Sequence, residues 1–231
     1  KAGYNIFISG ATSTGKTTFL NVLADYIPKT ERVITIEDSA ELQIHGIENL
    51  VRMEVRQADG DGVSNVTLRD LIRTSLRMRP DRIIVGEVRG EEALDMIQSM
   101  NTGHDGSLST GHANSPQDML SRLETMALFA SDIPIQAIRK QIASSIDIIV
   151  QLERLRDRSR RVTAIAEVLD CTEDAYILNP IFEFHEQDNL VMESSSYGDI
   201  PERVVGQLER TGYHLMHRRK LHAAALESAE I

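Results

Sequence analysis

The chain has 231 residues, 41% of them hydrophobic, which is enough to bury the core of one large α/β domain or of a domain with a small appendage. A formal net charge of -10 argues against a general attraction to nucleic-acid backbones, and the single cysteine, Cys171, cannot form an intrachain disulfide or build a cysteine metal site. No window approaches the roughly 18 apolar residues of a spanning helix and no signal-peptide pattern opens the chain, so the expected location is cytoplasmic, with any membrane association peripheral. The strand-like run Tyr4 to Ser9 begins almost at once after Lys1, which reads as a piece of a longer protein with an N-terminal domain upstream.

In chain order, a strand at Ile6 to Ile8 leads to a helix from Lys16 to about Tyr26 and a second strand at Val33 to Ile36. Helical spacing at Leu68, Leu71, Ile72 and Leu76 stops at Pro80, and Arg82 to Gly86 reads as a buried strand. Ala93, Leu94, Ile97 and Met100 mark a helix, Ser107 to Thr110 a strand, and Pro116 to Ala130 and Ile135 to Ile146 two more helices. The alternation predicts a mainly parallel sheet flanked by helices over residues 1–146. From Asp147 the texture changes to hairpins: strands at Ile148 to Glu153 and Arg161 to Leu169 around the basic turn Arg156 to Arg160, and a further strand at Ile177 to Phe184. This C-terminal β-hairpin and helical part is expected over 147–212, with a tail at 213–231; Glu186 to Ser196 reads as a loop, and Pro201 to Arg210 and His214 to Glu230 have helical composition.

Gly10-Ala11-Thr12-Ser13-Thr14-Gly15-Lys16-Thr17 fits G-x-x-x-x-G-K-[ST] between a strand and a helix, the context the motif requires. Backbone N–H groups there would cradle a β-phosphate, Lys16 would neutralise β- and γ-oxygens, Thr17 would offer its hydroxyl to Mg²⁺, and Thr18 continues the ATP-binding segment. No N-K-x-D guanine-selecting motif occurs, and the D-x-x-G match at Asp59 to Gly62 lies in a Gly/Asp loop, so a G-protein reading is weak. Arg82 to Arg89 is an apolar strand ending in Glu87, where a parallel sheet presents groups to its ligand; Glu87 suits Mg²⁺ coordination through water or polarisation of the attacking water. Glu37, Asp38 and Glu41 close a second strand; taken alone, such acids are as often solvated loop residues.

With His104 in Thr102-Gly103-His104 and His112 in Ser109 to Asn114, these segments resemble the Walker A, Asp box, Walker B and His box of the type II/type IV secretion ATPase superfamily. Leu68 to Gly90, Asn101 to Ser107 and Arg139 to Leu155 look most similar to the CpaF-type ATPases of Tad/Flp pilus assembly, and the likeness runs from about Gly3 to Gly212. It implies a RecA-like domain working as a homohexameric ring at the inner face of the cytoplasmic membrane, with ATP between neighbours, an inner-membrane platform protein as partner and no nucleic acid. It also implies Glu41, then Glu37, as the group orienting or activating water, Glu87 as the Walker B glutamate beside Arg89, His104 and His112 as nucleotide-sensing or subunit-bridging residues, and Arg52 and Arg56 as arginines for the γ-phosphate. Ser13, Ala11 and Gly111 depart from the family pattern, and Ser13 is expected to be strained if its position needs positive φ. Arg69, Arg73 and Arg77 form a basic stripe, read as solvated or as a subunit interface. The Arg154 to Arg161 turn is either a solvated hairpin or a contact for anionic lipid or an acidic loop. Three other readings stand beside the pilus-assembly motor: a conjugation-type secretion ATPase of the same superfamily, differing in its N-terminal domain and partner; a nucleotide-gated scaffold without turnover; and a RecA-like nucleic-acid translocase, against which the acidic balance argues.

Overall fold

Buried β-branched runs too short for helices form the centre of the computed structural model, which describes residues 1–58, 64–187 and 203–226. The strands are β1 (Ile6–Gly10), β2 (Arg32–Glu37), β3 (Asn49–Glu54), β4 (Arg82–Val85), β5 (Leu108–Gly111), β6 (Ile148–Arg154), β7 (Arg160–Cys171), β8 (Tyr176–Glu186) and β9 (Gly206–Arg210). The helices are α1 (Lys16–Ala24), α2 (Leu68–Ser75), α3 (Glu92–Asn101), α4 (Pro116–Ala130), α5 (Ile135–Ser145) and α6 (Arg219–Ala223), with a 3₁₀ turn after α2 at Leu76–Met78.

All nine strands join one sheet in the order β3-β2-β4-β5-β1-β6-β7-β8-β9. Pairing is parallel from β3 to β6 and antiparallel from β6 to β9. This is the α/β fold with a large, mostly parallel sheet that the strand–helix alternation predicts. Alternate residues of the parallel strands point to opposite faces. Phe7, Ile34, Ile36, Ile83 and Val85 pack under α2 to α5, while Ile8, Val33 and Ile84 pack against Leu20 and Ala24 of α1 and Leu42, Ile44 and Ile47 of the β2–β3 connection. Asp147, where the texture of the sequence changes, lies immediately before β6, which still pairs in parallel with β1; the change of architecture comes one strand later, at β7.

Several expectations are corrected. β3 was not among the expected strands, yet Val51, Met53 and Val55 pack on the core while Arg52 and Glu54 are exposed, a period-two alternation readable in the sequence. Residues 206–210 form β9, not a helix, because the free edge of β8 captures them by backbone pairing from Phe182↔Arg210 to Glu186↔Gly206. A Cβ on Gly206 would stand 2.5 Å from the His185 carbonyl oxygen, so a close approach of the two strands requires glycine there. Pro201 and Glu202 of the expected helix, residues 188–196 of the expected loop, the Asp59 to Gly62 match and residues 227–231 lie outside the described residues; Glu186 itself ends β8. The helix expected from His214 onward is confined, among the described residues, to α6.

The arginine stripe is partly consumed inside the chain. Arg69 and Arg73 donate through Nε to the two oxygens of buried Asp95 at 2.6 and 2.7 Å, tying α2 to α3, while Arg77 is exposed. Ahead of α6, the segment that follows β9 is held by a buried carboxylate on β7: Glu167, 1% exposed, accepts the N–H groups of Met216 and His217 at 2.8 and 2.6 Å and the Asn179 amide at 2.8 Å. Replacing Glu167 by Ala leaves these donors unpaired, so unfolding in denaturant is expected to cost about 1–3 kcal/mol less. Hydrogen exchange at the Met216 and His217 amides should quicken with it, and unchanged protection at those amides would show that other contacts hold the segment.

Candidate active site

The four strands whose ends carry the motifs are consecutive neighbours in the sheet, β2-β4-β5-β1, so residues far apart in sequence meet at one carboxyl edge. At the end of β1 the chain turns into a loop at a residue that cannot be larger than glycine: a Cβ on Gly10 would come within 2.4 Å of the Leu152 carbonyl oxygen and 2.6 Å of Thr14 Oγ1. Gly15 takes φ 96° and Ser13 φ 62°. Ser13 therefore holds the left-handed conformation that glycine adopts freely, at a cost of about 1–3 kcal/mol, as expected from its departure from the family pattern. Ala11, Thr12 and Ser13 are exposed at the crest; Thr14 is buried and donates to the Ala11 carbonyl at 2.9 Å.

No side chain caps the N-terminus of α1, so the helix opens on Gly15 with its first N–H groups facing the loop, an arrangement that suits an anion. Lys16, 7% exposed, curls back so that Nζ donates to the carbonyls of Gly10 and Ala11 at 2.9 and 3.0 Å. Thr17 sits half-buried in the first turn and donates to Glu41 Oε2 at 3.4 Å; Thr18 is exposed beside it.

Glu87 and His112 approach Lys16 from β4 and β5. Nε2 of His112 stands 2.7 Å from Glu87 Oε1, and its Nδ1 lies 3.4 Å from Lys16 Nζ. An ammonium only donates, so Nδ1 is the acceptor and Nε2 carries the proton. The contact to Glu87 Oε1 is close but not aligned, and that buried oxygen has no hydrogen bond. Arg89 donates to Glu87 Oε2 at 2.8 Å. Burial pushes the Glu87 carboxyl upward, but the Arg89 hydrogen bond and the charges of Arg89 and Lys16, joined by His112 at the low pH where it is protonated, outweigh it and hold the group below the usual carboxylate range. Burial, then the Lys16 charge, pushes the His112 imidazole below its usual value against the pull of Glu87. Burial likewise lowers the Lys16 ammonium. At neutral pH the cluster is an ionised carboxylate, a neutral imidazole and two cations.

Glu37 and Glu41 divide the work of their strand end. Glu37 is buried, and its Oε1 accepts the N–H groups of Glu41 and Leu42 at 3.0 and 2.9 Å. It shapes the loop that presents the exposed Glu41, and its packing explains Gly86, where a Cβ would meet Glu37 Cγ at 3.0 Å. Thr17, Glu37, Asp38, Ser39, Glu41, Gly86, Glu87 and Arg89 line a cleft of about 260 Å³.

This donor set fits a magnesium ion that arrives with a nucleotide. Oε1 of Glu87 is buried without a hydrogen bond and the Thr17 hydroxyl faces the same cleft. Among the described residues no group of three His, Cys, Asp or Glu could hold a metal alone, so phosphate oxygens and water would supply most of the shell.

Arg52, Arg56 and His104 are not brought to this cleft. Arg52 is exposed on the edge strand β3 and donates to the Ile44 carbonyl at 3.0 Å. β3 neighbours β2 and lies four strand spacings of ~4.8 Å, roughly 19 Å, from β1 and its phosphate loop. Arg56 lies just past β3 and reaches the Ser64 carbonyl at 3.4 Å. His104 hydrogen-bonds the Ser99 carbonyl at 3.1 Å in the turn leading into β5, at the sheet edge opposite His112.

Two supporting residues escaped the sequence reading. Gln151 on β6 is buried and donates to the Ala113 carbonyl at 3.3 Å, bracing the chain next to His112; a lone polar residue in Ile148-Ile149-Val150-Gln151-Leu152 was the available signal. Thr110 donates to the Gly86 carbonyl at 2.8 Å and so locks the ends of β4 and β5 together. Gly111 is explained by its neighbours, since a Cβ there would stand 2.9 Å from Met119 and Phe7.

Residues 1–195 match the family of type II/IV secretion system proteins. A putative conjugal transfer protein of Mycobacterium tuberculosis is 38% identical over 159 residues, covering 69% of this chain and 45% of the relative. The type IV secretion system protein PtlH of Bordetella pertussis is 37% identical over 164 residues, covering 70% and 48%. Among solved structures, the VirB11 ATPase of the Brucella suis type IV secretion system aligns with a TM-score of 0.65 and 32% identity over 71% of this chain and 48% of that one. The pilus retraction motor PilT, at 23% identity and a TM-score of 0.53 over 77% of this chain and 46% of that one, shares the fold. The chain spans about half the length of these relatives.

The neutral state of His112 is checked by following its ring signals by NMR against pH. The midpoint is expected below the ordinary histidine value, and Lys16→Met should raise it by removing a cation that opposes protonation. A midpoint at or above the ordinary value in the unmodified protein would contradict the assigned charge state.

Proposed function

The chain belongs to the type II/IV secretion system protein family, and from that premise we propose that it hydrolyses Mg-ATP as the motor domain of a ring. The observation that carries the reading is the meeting, at the ends of adjacent strands, of Lys16 from the Gly10 to Thr17 loop with His112 and Glu87, beside a cleft lined by Thr17, Glu41 and Glu87.

In this reading the N–H groups of the loop and of the first turn of α1 hold the β-phosphate, and Lys16 exchanges its carbonyl partners for β- and γ-oxygens. Thr17 and Glu87 would hold Mg²⁺, which supplies charge neutralisation at the β- and γ-phosphates. Glu41, exposed at the mouth of the cleft and hydrogen-bonded to Thr17, orients the attacking water and accepts its proton, while buried Glu37 keeps the Glu41 loop in place. His112 touches both Lys16 and Glu87, so a change in the phosphate held by one is felt by the other. Arg52, Arg56 and His104, which do not line the cleft of their own chain, serve where copies meet, the two arginines at a neighbour's γ-phosphate. A ring of six, cytoplasmic and docked on an inner-membrane platform protein, is the assembly in which such a shared site does mechanical work. Among the described residues no helix is long and apolar enough to cross a membrane.

The machine served is a pilus assembly or protein secretion system, with the Tad/Flp likeness of residues 68–90, 101–107 and 139–155 pointing to pilus assembly. A conjugation-type secretion ATPase is the second reading, favoured by the names of the conjugal transfer and type IV secretion relatives.

Phosphate release from Mg-ATP, measured across a wide range of protein concentration, tests the motor. Specific activity is expected to climb with concentration, and Lys16→Ala and Glu87→Gln should each lower it by about 100-fold or more. Activity constant per chain would mean a self-sufficient site; ATP binding without turnover at any concentration would mean a scaffold.

A further inference from the structure

The β6–β7 hairpin carries five arginines, Arg154, Arg156, Arg158, Arg160 and Arg161, and the structure separates their roles. Arg156 pairs with both oxygens of Glu186 at the hairpin's outer side. Arg161 lies over the ring of Phe184, 5.7 Å from its centre. Arg160 is paired with no carboxylate among the described residues. Its side chain leans on the phosphate loop: Cδ stands 3.6 Å from where a Cβ on Gly15 would be, a position free because Gly15 has none.

The placement follows from the sheet. Gly10 pairs with Leu152, so β6 runs alongside the phosphate loop and extends past it to Arg154, which pairs with Arg160. Val162, two residues on from Arg160, packs in the layer that contains Leu20 of α1, so the alternation of β7 sends Arg160 to the side where α1 begins. The turn is stiff. Asp157 accepts the Ser159 N–H and hydroxyl at 2.9 and 2.6 Å and the Val204 N–H at 2.9 Å, bonds that hold its carboxyl down to about 2. Leu155 and Ser159 close the turn by a 2.8 Å backbone bond, with Arg158 in the left-handed region at φ 67°.

Position then selects the ligand atom. β4 and β5, with Glu87 and His112, lie on one side of β1, and β6 with its hairpin lies on the other. A polyphosphate seated in the loop with its terminal phosphate toward Glu87 turns its ribose-linked phosphate toward Arg160. We propose that Arg160 binds the α-phosphate of the nucleotide, so that the β6–β7 hairpin is part of the nucleotide site of its own chain. This deepens the ATPase reading and rests on it. An α-phosphate contact is made equally to substrate, transition state and product, so it contributes to affinity and not to the chemical step.

Calorimetric titration of ADP and of a non-hydrolysable ATP analogue tests this with Arg160→Glu, Arg160→Gln, Arg160→Lys and, as a control of equal charge change at the turn, Arg158→Glu. Arg160→Glu is expected to weaken both nucleotides by the same factor, about tenfold or more, since a charge-assisted hydrogen bond to phosphate becomes a repulsion. Arg160→Gln should weaken both by a smaller common factor, Arg160→Lys should recover part of the loss, and Arg158→Glu should change affinity less than about twofold because an exposed charge off the site is screened. Steady-state assays of Arg160→Gln should show a raised KM and a kcat near that of the unmodified protein. Unchanged ADP affinity in Arg160→Glu, loss for the ATP analogue alone, or equal losses in Arg158→Glu and Arg160→Glu would each overturn the assignment. Failure of the parent reading looks different: the unmodified protein would bind neither nucleotide, or Lys16→Ala would bind both as well as it does. Thermal unfolding of each variant separates loss of the site from loss of the fold.

Discussion

Parallel pairing of β1 with β5 and β6, and of β2 with β4, is the constraint on which the rest of the molecule depends. Parallel strands end on the same edge, so the loops after β1, β2, β4 and β5 emerge together although they lie up to 100 residues apart in the chain. Each strand delivers one chemical function to that edge: an anion cradle, a water-facing acid, a half-buried carboxylate and an imidazole. The register is kept by bonds placed at the very ends of the strands, such as the Thr110 hydroxyl on the Gly86 carbonyl. Slippage of β5 by one residue would reverse its faces and turn His112 away from Glu87.

The electrostatics around the phosphate loop are local and opposite in sense to the whole chain. The protein carries a formal charge of -10, yet the phosphate loop is bordered by Lys16, Arg89 and Arg160 and by an uncapped helix end. Arg89 and Arg160 are exposed, and low exposure makes the Lys16 charge count most. Lys16 is buried, and the interactions of Glu87, Lys16 and His112 run through a medium less polar than water, where neighbouring charges shift each other's proton affinities. Carboxylates elsewhere do structural work in the same way. Asp95 joins α2 to α3, Glu167 fixes the segment before α6, and Asp157 stiffens the hairpin beside the phosphate loop.

Much of this was legible in the sequence because the responsible signals are short-range. The phosphate loop is contiguous and needs its glycines locally, and the strained Ser13 follows from its departure from the family pattern. Glu87 is readable as the acid that closes an apolar run. What sequence could not supply is distance across the sheet. His104 and His112 lie eight positions apart and look equivalent, but β5 runs between them and sends them to opposite edges. Arg69 and Arg73 look like a free stripe until Asp95, on the next helix, is seen between them. β9 was missed because its composition favours a helix while the unpaired edge of β8 decides its conformation. β3 was readable and overlooked: its alternation of Val51, Met53 and Val55 with Arg52 and Glu54 is a half-buried strand.

The central claim is that these strand ends form a single nucleotide–magnesium site. A crystal structure of the protein with Mg²⁺ and a non-hydrolysable ATP analogue tests it most directly. The β-phosphate is expected inside the Gly10 to Thr17 loop and the metal between the Thr17 hydroxyl and Glu87. Nucleotide bound elsewhere, or a metal site remote from Thr17 and Glu87, would contradict it.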